Sequence, residues 1–402
     1  MKKNPFQKTC PEVAVVLDLS GESARGIMRG ILQFVRENTP WNITYIPSNV
    51  SNVDASTLSS WRGDGMITRL TQESTYRKIL SLSCSTVLLC EEDFPLPTRK
   101  KNLPVFVRCE DETIGKMGAE YFLKRGFRHF AYIPNPIPHA WSLYREKGFQ
   151  KALRNAGFSF HLFQPSEKKR KKAFLPPTAQ EWLEEREELA QWLCQLPQPI
   201  GILAANDFRG RQTLEACQYA DIPVPYQAAV LGVNNDELVC LMAYPSLSSV
   251  AVHWEKAGFL AASALHRRMN GLPTPQEESY APIHVISRNS TEKLHVADPL
   301  VVRIMEMIRI NNGQNLQVQE MARVLRVSVR TAQSHFKKAV GHSIMEEIQH
   351  VRMRFVCNLL ENSPLTINEI AEHCGFENAN YLGIAFKRQF GMTMGQYRDQ
   401  KK

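Results

Sequence analysis

Two kinds of hydrophobic periodicity divide this chain. Up to about residue 252, short apolar runs alternate with longer amphipathic stretches. The runs at 13–17, 43–46, 66–68, 87–89, 105–107, 130–133, 158–163, 200–204 and 230–233 are short and continuous, and read as strands. Between them, 24–36, 114–125, 144–156, 182–195 and 209–219, and later 256–268, repeat apolar positions at helical spacing. Such alternation predicts parallel sheets covered by helices on both faces. Two successive series, 12–110 and 111–287, predict two lobes with a cleft between them. Ligands of such sheets bind beyond the carboxyl ends of the strands. The polar, aperiodic residues 288–297 read as a linker, and from 298 to 402 the pattern is wholly helical.

The helical part contains a repeat. Phe336 and Phe386, Gly341 and Gly391, and Ser343 and Thr393 are each fifty residues apart, and Ala322 and Ala371 hold matching places. Each copy reads as a short helix, a tight turn and a second helix. In the first, Val318, Met321, Ala322 and Leu325 face inward, Val327-Ser328 makes the turn, and Ser328 caps a helix that buries Ala332 and Phe336. In the second, Ile367, Ile370 and Ala371 face inward, Gly375 permits the turn, and Leu382, Phe386 and Phe390 form the buried stripe. The outer faces offer Ser328, Arg330, Thr331, Gln333, Ser334 and Lys337, then Asn378, Asn380, Tyr381 and Lys387. Arg, Gln, Asn and Thr read base edges, and Lys and Arg hold phosphates. The connector 344–362 places Ile348, Val351, Phe355 and Leu359 along one face. A rod of that length spans about 28 Å against about 34 Å for a turn of B-DNA. The expected partner is double-stranded operator DNA, entered at successive major grooves.

These motifs resemble the AraC/XylS family of transcription regulators over residues 298–402. The resemblance runs from Met321-Ala322-Arg323-Val324-Leu325 through Phe336-Lys337-Lys338-Ala339-Val340-Gly341, and from Ile367-Asn368-Glu369-Ile370-Ala371 to Phe390-Gly391-Met392-Thr393 and Tyr397-Arg398. Ala332 and Met394 depart from the family pattern.

The earlier part resembles the sugar-binding domain of the LacI/periplasmic-binding family in four patches. These are Asp18 to Gly30, Trp141 to Phe149 with an R-x-x-G-F pattern, Ala204-Ala205-Asn206-Asp207, and Gly232 to Asp236 followed by Tyr244 to Val250. The resemblance implies a polyol cleft drawn from Asp18, Arg25, Glu110, Asp111, Trp141, Arg145, Asp207 and Asp236. Arg145 would donate to hydroxyls, the aspartates would accept, and Trp141 would cover the C–H face of a sugar ring. Each aspartate could instead cap a helix, and Trp141 could be core. Glu110-Asp111 stands where the family has Asp-Asn. The order of parts, sensor first and DNA reader last, resembles regulators of pentose catabolism. It implies D-xylose or a related pentose as effector, an activator role, a homodimer and contact with RNA polymerase.

Composition narrows the alternatives. The net charge is +9, and residues 298–402 hold 14 Lys/Arg against 10 Asp/Glu, which suits a polyanionic partner and an ordinary solvated surface equally. Nine cysteines form no C-x-x-C pair or zinc-spaced cluster, so reduced thiols and no metal are expected. The apolar stretch after Met1-Lys2-Lys3 is too short for a signal peptide, and no run is long enough to span a bilayer. A cytoplasmic protein with no membrane partner is expected, on the nucleoid when bound to DNA. No nucleophile elbow, metal triad or phosphate loop is present, so neither an enzyme nor a cofactor is expected. A glycosidase using Asp207 and Asp236, or a transport-binding protein, are the competing readings. The basic run Lys168–Lys172 before Pro176-Pro177 reads as an exposed loop.

Overall fold

The computed structural model describes residues 10–47, 60–70, 73–90, 92–93, 103–164, 179–292, 298–314, 316–363, 365–376 and 378–401. The basic run at 168–172 lies outside them. The chain forms two compact units, divided between Leu294 and His295.

The first unit is an α/β domain with two six-stranded sheets. One sheet contains β1 (Glu12–Leu17), β2 (Asn42–Pro47), β3 (Gly65–Leu70), β4 (Ser85–Cys90), β5 (Val105–Cys109) and β11 (Glu277–Tyr280) in the order β11-β5-β4-β3-β1-β2, all parallel. The other contains β6 (His129–Ile133), β7 (His161–Leu162), β8 (Ile200–Ala204), β9 (Ala228–Asn234), β10 (Ser248–Val252) and β12 (Pro282–Ile286), in the order β12-β10-β9-β8-β6-β7. Only β12 runs antiparallel to its neighbour. The central strands are mostly apolar because both faces are covered. Val13 to Leu17 and Ile200 to Ala204 are buried along their whole length.

Two expectations change. The run at 158–163 yields only the two residues of β7, because Phe158 and Phe160 pack into the core instead. The lobes are also not successive. The chain enters the second lobe after β5 and returns after β10 to lay α8 (Trp254–Met269) on the first. It adds β11 there and crosses again to β12. Three crossings therefore join the lobes. Glu110 N–H donates to Tyr280 O (2.9 Å), and Trp254 packs edge-on to Tyr280, so the crossings brace one another.

Each lobe is built on a helix pair brought close by glycine. Against α8 packs α1 (Glu22–Glu37); in the second lobe α3 (Asp111–Lys124) packs on α4 (Ala140–Asn155). A methyl group at Gly30 would fall 1.9 Å from Glu255 O, and one at Gly258 1.9 Å from Ile27 O. Methyl groups at Gly115 and Gly148 would fall 1.9 and 2.0 Å from Arg145 O and Glu112 O. The second lobe is completed by α5 (Ala179–Cys194), α6 (Asp207–Tyr219) and α7 (Glu237–Met242), the first by α2 (Glu73–Ile79).

Part of the expected linker is instead built into the first unit. Ser290 and Thr291 are fully buried; Ser290 Oγ donates to Val230 O, and Thr291 Oγ1 meets the hydroxyls of Ser248 and Tyr121. Small hydroxyl residues read as linker in sequence, but here they form a closed polar network.

The second unit is helical: α9 (Pro299–Ile310), α10 (Val318–Val324), α11 (Val329–Val340), α12 (Ile344–Asn362), α13 (Ile367–His373), α14 (Ala379–Phe390) and α15 (Met394–Lys401). The fifty-residue repeat has a structural cause. Ser328 and Asn378 accept the third-position N–H of α11 and α14. Gly341 and Gly391 end those helices in left-handed geometry, at φ 89° and 72°. Ser343 then opens α12 with a reciprocal Glu346 bond, and Thr393 with Gln396 opens α15 likewise. The connector α12 does not present a single buried face. Ile344 and Ile348 are buried in its first half, and Met353, Val356 and Leu360 in its second, where they join Ile370, Leu382 and Phe386. Val351, Phe355 and Leu359, expected along one face with Ile348, are half-buried, as are Leu325 and Phe390, which were expected inside.

Candidate effector cleft and nucleic-acid interface

At the carboxyl ends of the first unit's strands the side chains form two buried clusters. Arg145 on α4 is 2 % exposed. Its Nε donates to Asp111 Oδ1 (2.8 Å) and its Nη1 to Ala205 O (2.6 Å), while its guanidinium lies 4.7 Å from the Trp141 ring. Asp111 thus faces Arg145, fixing the charge and plane of its guanidinium. Trp141 stacks on His139, with ring centroids 5.9 Å apart.

The second cluster is centred on Asp207, 1 % exposed at the start of α6. Its Oδ2 accepts Asp236 N–H (2.7 Å) and its Oδ1 the Ser249 hydroxyl (2.5 Å). Burial outweighs these bonds and pushes its carboxyl up to about 7. Asp236 caps α7 and reaches the other lobe, accepting Glu22 N–H at 3.2 Å. Beside it, at the end of β9, Asn234 Oδ1 is buried without a hydrogen-bond partner, and Asn234 adopts φ +106°.

The other expected cleft residues are held by neighbours of these clusters, and Glu110 lines one cavity with Asp111, Asp93 and Tyr144. Asp18 accepts Ser20 N–H in a local turn. Arg25 is held by Glu22 and by the carbonyls of Leu19 and Ser20. Glu110 is exposed at a crossing, accepting the hydroxyls of Ser279 and Thr113. The lobes are instead bridged by residues that periodicity does not single out. Glu92, beyond β4, lies 2.5 Å from His139 Nδ1 and accepts Ala140 N–H at 3.0 Å, so it caps α4 from the opposite lobe. Its neighbour Asp93 accepts the Tyr144 hydroxyl (2.5 Å). Two acids after a strand are the only sequence signal, and they acquire meaning only when the lobes face each other.

In the helical unit, α10 with α11 and α13 with α14 form two helix-turn-helix motifs. Arg330, Gln333, Ser334 and Lys337 are exposed on one face of α11, with Thr331 half-buried beside them. Asn380, Tyr381 and Lys387 are exposed on α14. Ser328 and Asn378 are occupied as caps at 3.0 and 2.8 Å, which makes them anchors of the helix N-termini. Ile384 was not expected: it is 72 % exposed on the outer face of α14.

Comparisons with known proteins agree with both halves. Residues 119–291 match a periplasmic binding protein-like domain, and residues 321–400 match a helix-turn-helix domain. The xylose operon regulatory protein of Haemophilus influenzae is 27 % identical over 396 residues, covering 96 % of this chain and 98 % of that one. Its Escherichia coli K12 counterpart is 26 % identical over 385 residues, covering 93 % of each. The activator RhaR of Salmonella arizonae is 39 % identical over 71 residues, 18 % of this chain and 25 % of that one. The solved structure of a xylose-binding transcription activator superposes with a TM-score of 0.83 at 23 % identity, covering 98 % of this chain and 99 % of the other. Among the described residues no helix is long and apolar enough to cross a membrane. These relatives are regulators rather than enzymes, and the chain is a DNA-binding transcription regulator that joins a periplasmic binding protein-like sensor to an AraC-type helix-turn-helix domain.

Proposed function

We propose that the chain is a D-xylose-dependent activator of genes for xylose uptake and breakdown. It acts in the cytoplasm as a homodimer on operator DNA, where it engages RNA polymerase. The observation that carries this reading is agreement in both domains, in the same order, with regulators of xylose operons along nearly the whole chain. The cleft chemistry suits a neutral polyol. Arg145 is held flat by Asp111 and lies over the Trp141 ring, and Asp236 and Asn234 offer acceptors. Asp207 positions Asp236 through its backbone N–H. An unsatisfied buried oxygen such as Asn234 Oδ1 costs about 1–3 kcal/mol, which a sugar hydroxyl would recover. An apolar face on α7, with Leu238, Leu241 and Met242 at helical spacing and Tyr244 beyond, supports a second copy as partner.

Sugar closes the lobes, and closure favours the arrangement of recognition helices that binds the operator. Linkage makes the effect reciprocal. Calorimetric titration with D-xylose, L-arabinose, D-ribose and D-glucose, with and without a xylose-operon promoter fragment, tests it. Xylose is expected to bind most tightly, and at least fivefold more tightly with DNA present. Preference for another pentose replaces the effector, and equal affinities with and without DNA overturn the coupling.

A further inference from the structure

We propose that the DNA-binding unit carries a transition-metal site made of His342, Glu347 and His350, with zinc as the metal that suits it. Among the described residues these are the three metal-ligating side chains whose donor atoms converge, all within 4.8 Å of one another. His342 Nε2 lies 2.8 Å from Glu347 Oε2, and His350 Nδ1 lies 3.8 Å from the same oxygen. Around tetrahedral zinc with bonds of about 2.0–2.1 Å, neighbouring donors stand about 3.3 Å apart. The two separations bracket that figure, so small side-chain rotations suffice, and His350, with its side chain 53 % exposed, is free to make them.

The electrostatics point the same way. Glu347 is a carboxylate only 2 % exposed, and an ionised acid there needs positive charge at close range. Arg354, at 3.7 Å and largely exposed, supplies some. A divalent cation bound by both imidazoles and the carboxylate supplies more, and each neutral imidazole becomes a ligand instead of a proton carrier. Two nitrogens and one oxygen are the donors of zinc sites that keep a fourth position for water. Glu346, held in the capping box next to Glu347 in sequence, adds negative charge at the same end of the helix.

The placement gives the metal something to do. His342 follows Gly341, which ends α11, while Glu347 and His350 stand one turn apart at the start of α12. A bound ion would tie the end of the first recognition helix to the connector rod. Sequence spacing conceals this because the ligands straddle a helix–turn–helix junction and no cysteine is among them.

The test is titration of the chelator-stripped full chain with zinc chloride, read by calorimetry and thermal unfolding, with magnesium chloride as control. Expected are one zinc bound per chain at micromolar or tighter affinity and a higher unfolding temperature, with no effect of magnesium. His350→Ala removes an exposed ligand without disturbing the core, and is expected to weaken zinc at least tenfold. His342→Ala is expected to do the same. The proposal is overturned if zinc neither binds nor stabilises, or if its affinity is unchanged in His350→Ala.

Discussion

A carboxyl group enclosed by protein is costly to ionise, and Asp207 is such a group. The hydroxyl of Ser249 and the N–H of Asp236 favour its charged form, yet burial prevails and lifts it from 3.8 to about 7. The folded protein therefore holds this proton over a range where the unfolded chain has released it. Folding stability from this group is full below pH 3.8 and falls as pH rises towards 7, then stays level. Asp207→Asn cannot ionise, so its unfolding temperature relative to the parent is expected to rise as pH is raised through that window. A difference that is flat with pH would mean that Asp207 is ionised when folded. Asp207 was legible as a residue at a strand–helix junction, as was Arg145 in its R-x-x-G-F pattern. Their partners were not: whether Asp111 faces sugar or arginine is decided by a contact across 34 residues.

At the scale of elements, the alternation of strands and helices was plain in the sequence, and so were the paired helix-turn-helix copies. Both follow from local periodicity and capping chemistry. The strands β11 and β12 were missed, since four or five residues such as Glu277–Tyr280 and Pro282–Ile286 carry too few positions to show a period. The glycine crossings were equally hidden, because a glycine inside a helical pattern looks the same whether it packs or merely weakens the helix. Their difference is measurable. A methyl group at Gly148 meets the backbone oxygen of Glu112, which cannot move without separating α3 from α4. Gly148→Ala is expected to cost about 3 kcal/mol or more in urea unfolding of the sensor. A methyl group at Gly383, inside α14, would meet only the end of the Met394 side chain, at 3.9 Å. Gly383→Ala is expected to stabilise its unit by about 0.5–1 kcal/mol. Equal effects at the two sites would refute the crossing geometry.

For the whole molecule, what matters is how much of the closed form exists before sugar arrives. The two carboxylate oxygens of Glu92 reach the ring of His139 and the N–H of Ala140 across the cleft, and neither contact involves a sugar ligand other than through the neighbouring Trp141. Glu92 therefore favours closure with the cleft empty. On the proposed mechanism, apparent sugar affinity equals intrinsic affinity scaled by the closed fraction, while sugar can raise DNA affinity only through molecules not already closed. Removing the bridge should pull these two quantities apart. A charge-assisted hydrogen bond contributes about 1.5–3 kcal/mol, so Glu92→Ala is expected to need about tenfold more xylose for half-saturation. Its operator affinity without sugar is expected to fall, and the ratio of operator affinities with and without saturating xylose to rise. Calorimetry for the sugar and fluorescence anisotropy for the operator read both changes on the same preparation. A variant that lost sugar affinity with no gain in that ratio would show Glu92 to be a ligand and not a latch. One with unchanged sugar affinity would show that the bridge carries no weight in closure.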